Sequence, residues 1–517
     1  MELLFDDEWV DVRAGVRRVL GAVRKEPEPV LKPEAPWEEQ VQGHRAVLFD
    51  QEERKFKLWY RASVAAPEKA GGDDDTVSSE RARAGQRTFL CYAESADGLV
   101  WTRPSLDLFT FQGSRDNNIL REMDHGDSVW WNVLKDPADP DPARRYKALG
   151  FQGRWESSTI EGVAPGRKGV GVAYSPDGIH WPDPPHMVMD TADVTDADCI
   201  LPRREPTTGK WVAFFRPRTH PKRRYIGYAE SDDFDHWTYP RMLLTPDAGD
   251  PEWYEFYGLT VGCLGRWRVG GLWVYHNNPE SSPMTTELVY SRDGINYRRA
   301  LPGEQFVPLG PAGSFDSRMV SPLALIERGA ECLIYYNGRN CDHGSDRGMD
   351  MQPSRCPEGE APMGGIGLAR VPGRNFCGLR ADMDGRVESK WLCNYGRAGV
   401  TALADVAQDG WIHAEILDPY GDVIPGWDRA ACRAQKRPQG SFVRSTLRAY
   451  RQETPGVFTG RVTFSWGGEE LVGACGQQSA AGGQVGHVVK LRFHLHRATL
   501  YGFGVGEERA SPPYVSE

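Results

Sequence analysis

The run SADGLVW at residues 95–101 decides the architecture, because the chain repeats it. SPDGIHW at 175–181, SDDFDHW at 231–237 and SRDGINY at 291–297 are further copies, and RVPGRNF at 370–376 is a degenerate fifth. The pattern is Ser, a free position, Asp, Gly, two more free positions, then an aromatic. Asp-Gly is a tight-turn dipeptide: the carboxylate captures backbone N–H groups and glycine tolerates positive φ. The aspartates Asp97, Asp177, Asp233 and Asp293 are therefore read as structural. The aromatics Trp101, Trp181, Trp237, Tyr297 and Phe376 are read as packing between neighbouring sheets.

Working outward, each turn is preceded by a run with strand-like alternation: TFLCYAE, GVGVAYS, RYIGYAES, TTELVYS and GGIGLAR. A second run lies upstream of each (KFKLWYRA at 55–62, RRYKALGF at 144–151, KWVAFFRP at 210–217, RVGGLWVYH at 268–276, CLIYYNGR at 332–339), and a third lies further upstream still. Three strands, a turn and a short aromatic-ended fourth strand, five times over, predict a five-bladed β-propeller. After Phe376 the turn motif vanishes while alternation continues, as in HVVKLRFHLHRATLYGF at 487–503. The expectation is an all-β chain: an N-terminal segment over 1–36, a propeller over 37–380 and a β-sandwich over 381–517. Only residues 9–24 show amphipathic helical spacing.

Composition narrows the function. Among 517 residues, 62 Lys and Arg face 72 Asp and Glu, a net charge of −10. That balance opposes the basic face a nucleic-acid binder needs. No run of 18 apolar residues is present, so no membrane helix is expected. The opening MELLFDDEWV lacks a basic start and an apolar run, and a cytoplasmic location is expected. The ten cysteines form no CxxC pair and are read as buried free thiols; Cys341 and Cys356 bracket His343 at no zinc spacing, and neither metal nor cofactor is expected. Seventeen Trp, 19 Tyr and 19 Phe are compatible with stacking on sugars.

A propeller brings the starts of its inner strands to one axis. Acids stand there in every repeat: Glu38 before the first, Asp127 in the second, Asp196 and Asp198 in the third, Glu255 in the fourth and Asp316 in the fifth. Carboxylates crowded into one cavity repel, so one stays protonated opposite an ionised neighbour, as glycosidic cleavage requires. Arg61, Arg216, His276 and Arg339 follow aromatic strand cores and can bind sugar hydroxyls or hold carboxylates ionised. Trp131, or its neighbour Trp130, is a candidate to reach the channel. His343, in the insertion CDHGSDRG, is either a cap on the funnel or, as the simpler reading, a solvated loop histidine.

The chain resembles the five-bladed propeller glycoside hydrolases of families 32 and 43, and most of all bacterial proteins with a family 32-like N-terminal domain followed by a β-sandwich. The resemblance rests on PWE at 36–38, NNIL at 117–120, DPADPDPARRYKA at 136–148, GKWVAFFR at 209–216, EFYGL at 255–259, SFDSRMVSP at 314–322, and the tail phrases AEILDPYGDVIPG and VKLRFHLHRATLYGF. It implies three acids on inner strands, with Glu255 as general acid, Asp127 or Glu38 as base or nucleophile, and Asp196 or Asp198 orienting the sugar. Asp316 would bind hydroxyls. The WxNDPNG, RDP and Glu-Cys signatures of the invertase group are missing, which points to a furanosidase acting on a sugar other than sucrose or levan. The alternatives are a non-catalytic carbohydrate-binding propeller and a phosphorylase or transglycosidase on the same fold.

Overall fold

A computed structural model describes residues 1–65, 86–123, 132–152, 169–190, 199–219, 223–345, 354–393, 399–438, 457–466 and 488–505. The protein is all-β. Among the described residues the helical structure is a single 3-10 turn at Pro142–Arg144. The chain divides into two compact units, one of Lys25–Ile326 and Leu333–Ala369, the other of Met1–Arg24, Glu327–Cys332 and Arg370–Tyr514.

The larger unit contains five four-stranded antiparallel groups. The first is Gln40–Asp50, Lys55–Ala65, Gln86–Ser95 and Ile119–Met123; the second is Val133–Lys135, Tyr146–Gln152, Gly169–Ser175 and His186–Asp190. The third runs Leu201–Arg204, Trp211–Phe215, Ile226–Ser231 and Arg241–Leu244, and the fourth Tyr254–Leu264, Trp267–His276, Met284–Ser291 and Arg298–Arg299. The fifth takes Met319–Arg328, Glu331–Arg339 and Gly364–Pro372 from the end of the repeat region and its outer strand, Arg24–Lys25, from near the N-terminus. Backbone bonds from Glu26 N to Leu368 O (2.8 Å) and from Ile366 N to Leu31 O (2.8 Å) hold that segment in place.

The repeated turn behaves as its residues dictate. Asp97 Oδ1 accepts from the N–H groups of Leu99 (2.8 Å) and Val100 (3.0 Å), while Ser95 Oγ accepts from Gly98 N (2.9 Å). The same bonds recur around Asp177, Asp233 and Asp293. Burial works to raise the Asp293 carboxyl, but these backbone donors and the Asn296 side chain outweigh it and lower it to about 2. The glycine position has φ of +79° at Gly98 and Gly178 and +78° at Gly294. In the third copy Phe234 takes that place, at +73°.

Each turn docks on the preceding sheet, and hydrophobic cores lie between consecutive sheets. Leu48, Trp59 and Tyr92 of the first meet Val133, Tyr146 and Met187 of the second. Leu149 and Val170 of the second meet Trp211, Phe215 and Phe234 of the third. Phe214 and Tyr228 of the third meet Leu272, Val289 and Tyr297 of the fourth. Between fourth and fifth, Thr260 Oγ1 and Trp273 Nε1 donate to Pro322 O (2.5 and 3.0 Å). The fifth meets the first through Tyr335, Leu323 and Ile366 against Phe56, Val41 and Trp101, with Tyr335 OH donating to Gly98 O (2.9 Å).

In the smaller unit the long strands Val400–Leu417 and Val488–Val505 pair along most of their length, flanked by Cys377–Ser389 and Phe458–Trp466. Its core gathers Val387, Ala402, Ile412, Ile416, Phe464, Leu491, Phe493 and Leu495.

Two expectations are overturned here. Residues 9–24 are not a helix: Val10–Ala14 and Arg17–Leu20 are strands paired with Cys377–Ser389. Valines at 10, 12, 16 and 19 suit a sheet edge, and pairing with a long partner overrides weak helical spacing. The cysteines are not all free thiols. Cys341 and Cys356 form a disulfide, whereas Cys91, Cys199, Cys263, Cys332, Cys377 and Cys432 are free.

Candidate active site

The fourth sheet carries the site. Its inner strand begins Tyr254-Glu255-Phe256-Tyr257, with Glu255 opposite Tyr275 on the neighbouring strand, so the two share a face. The register shifts between Phe256 and Gly258, leaving Tyr257 as the extra residue of a β-bulge. Bulges re-aim side chains, and this one turns Tyr257 into the same cluster as Glu255 and Tyr275.

Glu255 is 1% exposed and enters the site as an acceptor. Arg224 Nη1 donates to Oε2 (2.5 Å) and Asn277 Nδ2 to Oε1 (2.8 Å). Asn277 in turn accepts at Oδ1 from the hydroxyls of Tyr275 (3.0 Å) and Ser345 (2.8 Å). Both donors are themselves buried, and one of them carries a charge. Arg216, also buried, lies over the Tyr257 ring at 4.0 Å, and Arg224 over Tyr275 at 4.9 Å.

His343 closes this cluster. Its Nε2 is 2.9 Å from Tyr257 OH, and its ring packs on Tyr257 (4.9 Å) and Tyr275 (4.7 Å). Burial, then the charges of Arg224 and Arg216, push the imidazole down to about 3, so it is neutral at physiological pH. It is therefore not a solvated loop histidine. The loop is stapled over the fourth sheet: His343 N donates to Ser282 O (3.0 Å), Gly344 N to Ser282 Oγ (3.0 Å), and Asp342 accepts from Arg318 Nε (2.7 Å). The disulfide at Cys341 fixes the loop's start.

The other sequence candidates fall in different places. Glu38 is fully engaged, accepting from Tyr60 OH (2.5 Å), from Arg103 Nε and Nη2 (3.0 Å each) and from the N–H groups of Glu34 and Ala35. Asp316 pairs with Lys25 Nζ (2.5 Å) and accepts from Tyr336 OH (2.9 Å) and Ser314 Oγ (2.9 Å). Both carboxylates lock the first and fifth sheets to the N-terminal segment. His276, opposite Tyr254, lies on the face away from Glu255; it contacts Thr285 Oγ1 (2.8 Å), and burial followed by the Arg318 charge lowers it to about 4. Arg61 is half-buried in the second strand of the first sheet. Arg339 is half-buried at the end of Glu331–Arg339, near enough for its charge to act on His343. Asp127, Asp196, Asp198 and Trp131 lie outside the described residues.

Arg224, Tyr257, Tyr275, Asn277 and Ser345 are site residues that sequence reasoning missed. The available signal was proximity: Tyr257 follows Glu255 by two, and Tyr275 and Asn277 flank His276.

No family model matches the chain, and no curated protein matches it. Among solved structures, a glycoside hydrolase is 16% identical with a TM-score of 0.40, covering 67% of this chain and 92% of that one. The β-1,2-mannobiose phosphorylase of Listeria innocua is 14% identical at TM-score 0.40, covering 68% and 96%. The Bombyx mori GH32 β-fructofuranosidase BmSUC1 is 10% identical at TM-score 0.39, covering 91% and 94%. Activity does not transfer at this level of similarity.

Proposed function

We propose that the protein is a glycoside hydrolase cleaving a furanosidic bond, with the five sheets of its larger unit closed as a propeller and its smaller unit a β-sandwich. The observation that carries the reading is the buried Glu255 carboxylate within a wall of Tyr257, Tyr275 and His343. Aromatic faces suit the C–H surface of a sugar, and neutral imidazole and phenol groups suit its hydroxyls. In this reading Glu255 is the ionised member of the acid pair, not the general acid its sequence position suggests. Held by Arg224 and Asn277, it stabilises positive charge developing at the anomeric carbon, or attacks there. With Glu255 ionised, the acid that protonates the leaving oxygen is sought among Asp127, Asp196 and Asp198, which the resemblance casts instead as base or nucleophile and as sugar-orienting groups, with Arg61, Arg216 and Trp131 as binding groups.

The test is a screen of aryl furanosides and pyranosides with anomer-resolved product analysis, followed by Glu255→Gln on the best substrate. The isosteric amide keeps the shape and removes the charge, so kcat should fall roughly 10²–10⁴-fold with KM changed far less. Full turnover by the variant would remove Glu255 from the chemistry. Saturable sugar binding without product in the wild type would favour a non-catalytic binding protein.

A further inference from the structure

The smaller unit displays two aromatic side chains that its core does not use. Trp391 is 64% exposed, the most of any described tryptophan, and Tyr420 is 92% exposed. Neither sits on loose chain. Lys390 N donates to Trp9 O (3.0 Å) on one side of Trp391, and Leu392 pairs with Val489 on the other. Tyr420 tops a tight hairpin closed by the Leu417–Val423 bridge. There Asp418 Oδ1 accepts from the N–H groups of Tyr420 (2.9 Å) and Asp422 (3.0 Å), and Gly421 takes φ of +97°. The two are tied together: Trp391 Nε1 donates to Pro419 O (3.2 Å), the residue before Tyr420. An indole fixed through its N–H while its ring stays in water is a prepared surface, since little side-chain entropy remains to be lost on binding.

We infer that Trp391 and Tyr420 form a saccharide-binding platform, taking the C–H faces of sugar units in a neutral polysaccharide, with the exposed Asp422 carboxylate as an acceptor for their hydroxyls. The inference goes beyond the reading of Glu255 by giving the smaller unit a ligand of its own, and shares with it only the class of compound. A stable protein interface needs about 800 Å² per partner, whereas two aromatic rings bury about 300–500 Å². Membrane-surface anchors surround their aromatics with Lys and Arg. Here Asp418 and Asp422 flank Tyr420, and Lys390 alone adjoins Trp391. The same acids disfavour a polyanionic glycan.

Native gels cast with soluble arabinan, levan, galactan or polygalacturonate test this on the full-length protein, because a bound polymer retards migration. At least one neutral polymer should retard wild type, and more strongly than polygalacturonate does. That polymer should also protect wild-type tryptophan fluorescence from acrylamide quenching, a readout that needs no variant. Trp391→Ala and Tyr420→Ala should each weaken binding about tenfold, Trp391→Phe should recover part of the loss, and kcat/KM on small aryl glycosides should stay at the wild-type value. The inference is overturned if no polymer retards wild type, or if the double alanine variant is retarded as wild type is. Trp391-dependent sedimentation with phosphatidylcholine–phosphatidylserine vesicles, without polymer binding, would overturn it in favour of a membrane surface. Glycoside turnover without polymer binding would sink this inference alone. Trp391-dependent polymer binding without any glycoside turnover would sink the glycosidase reading and leave the platform standing.

Discussion

Phe234 sits where the other turns carry glycine, which sets packing against backbone strain in one side chain. Its φ of +73° is a conformation that a residue with a Cβ adopts at a cost of about 1–2 kcal/mol. Its ring is fully buried, 5.0 Å from Trp211, 5.5 Å from Trp237 and 6.3 Å from Tyr174. Removing a buried Phe ring costs about 3–5 kcal/mol. In Phe234→Gly the relief of strain offsets part of that, while glycine's extra freedom in the unfolded chain takes back about 0.5–1 kcal/mol. A net loss of about 2–4 kcal/mol follows from these principles. Phe234→Ala keeps the strained Cβ and loses the same ring, so it should lie about 1 kcal/mol below the glycine variant. Urea unfolding followed by tryptophan fluorescence reports here directly, because Trp211 and Trp237 flank the ring. The expected order of midpoints is wild type, then Phe234→Gly, then Phe234→Ala. A glycine variant as stable as wild type would refute the packing estimate, and one below the alanine variant would refute the strain estimate.

Acid should destabilise the larger unit before its carboxylates titrate. His343 and His276 are lowered to about 3 and about 4, chiefly by burial, and return to about 6.5 on unfolding. The unfolded state then binds more protons, and stability rises with pH between about 4 and 6.5. Denaturant midpoints at about pH 5 and about pH 7 measure this slope; replacing both histidines by Gln should flatten it, and an unchanged slope would count against the assignment. Lys25→Met strips the cation from the buried Asp316 carboxylate and should cost about 3–5 kcal/mol, with Asp316→Asn recovering part of the loss in the double variant. Thermal unfolding that is unaffected by Lys25→Met would show that this pair does not anchor the strand completing the fifth sheet.

What was legible in the sequence is what local chemistry determines. The Ser-x-Asp-Gly turn closes through bonds spanning two or three residues, so four copies announce four turns wherever they sit. Its aromatic residue has a fixed offset from the turn, and Trp101, Trp237 and Tyr297 accordingly pack on Tyr335, Phe234 and Phe214. The closing strand Arg24–Lys25 is two residues long and carries no period, so nothing local marks it. The acids illustrate the same boundary. Glu38, Glu255 and Asp316 all begin inner strands, but their roles follow from cations far along the sequence: Arg103 is 65 residues from Glu38, and Arg224 is 31 from Glu255. Glu38 and Asp316 are each surrounded by donors from the N-terminal segment and the first and fifth sheets, which makes them fasteners. Glu255 stands opposite Tyr275 and two residues before Tyr257 of the bulge, and a histidine delivered on a disulfide-anchored loop packs on both rings. An acid at a strand start thus becomes a candidate site only when its remaining neighbours are groups a ligand can use, and that property belongs to the packing around it rather than to the acid's position in any one repeat.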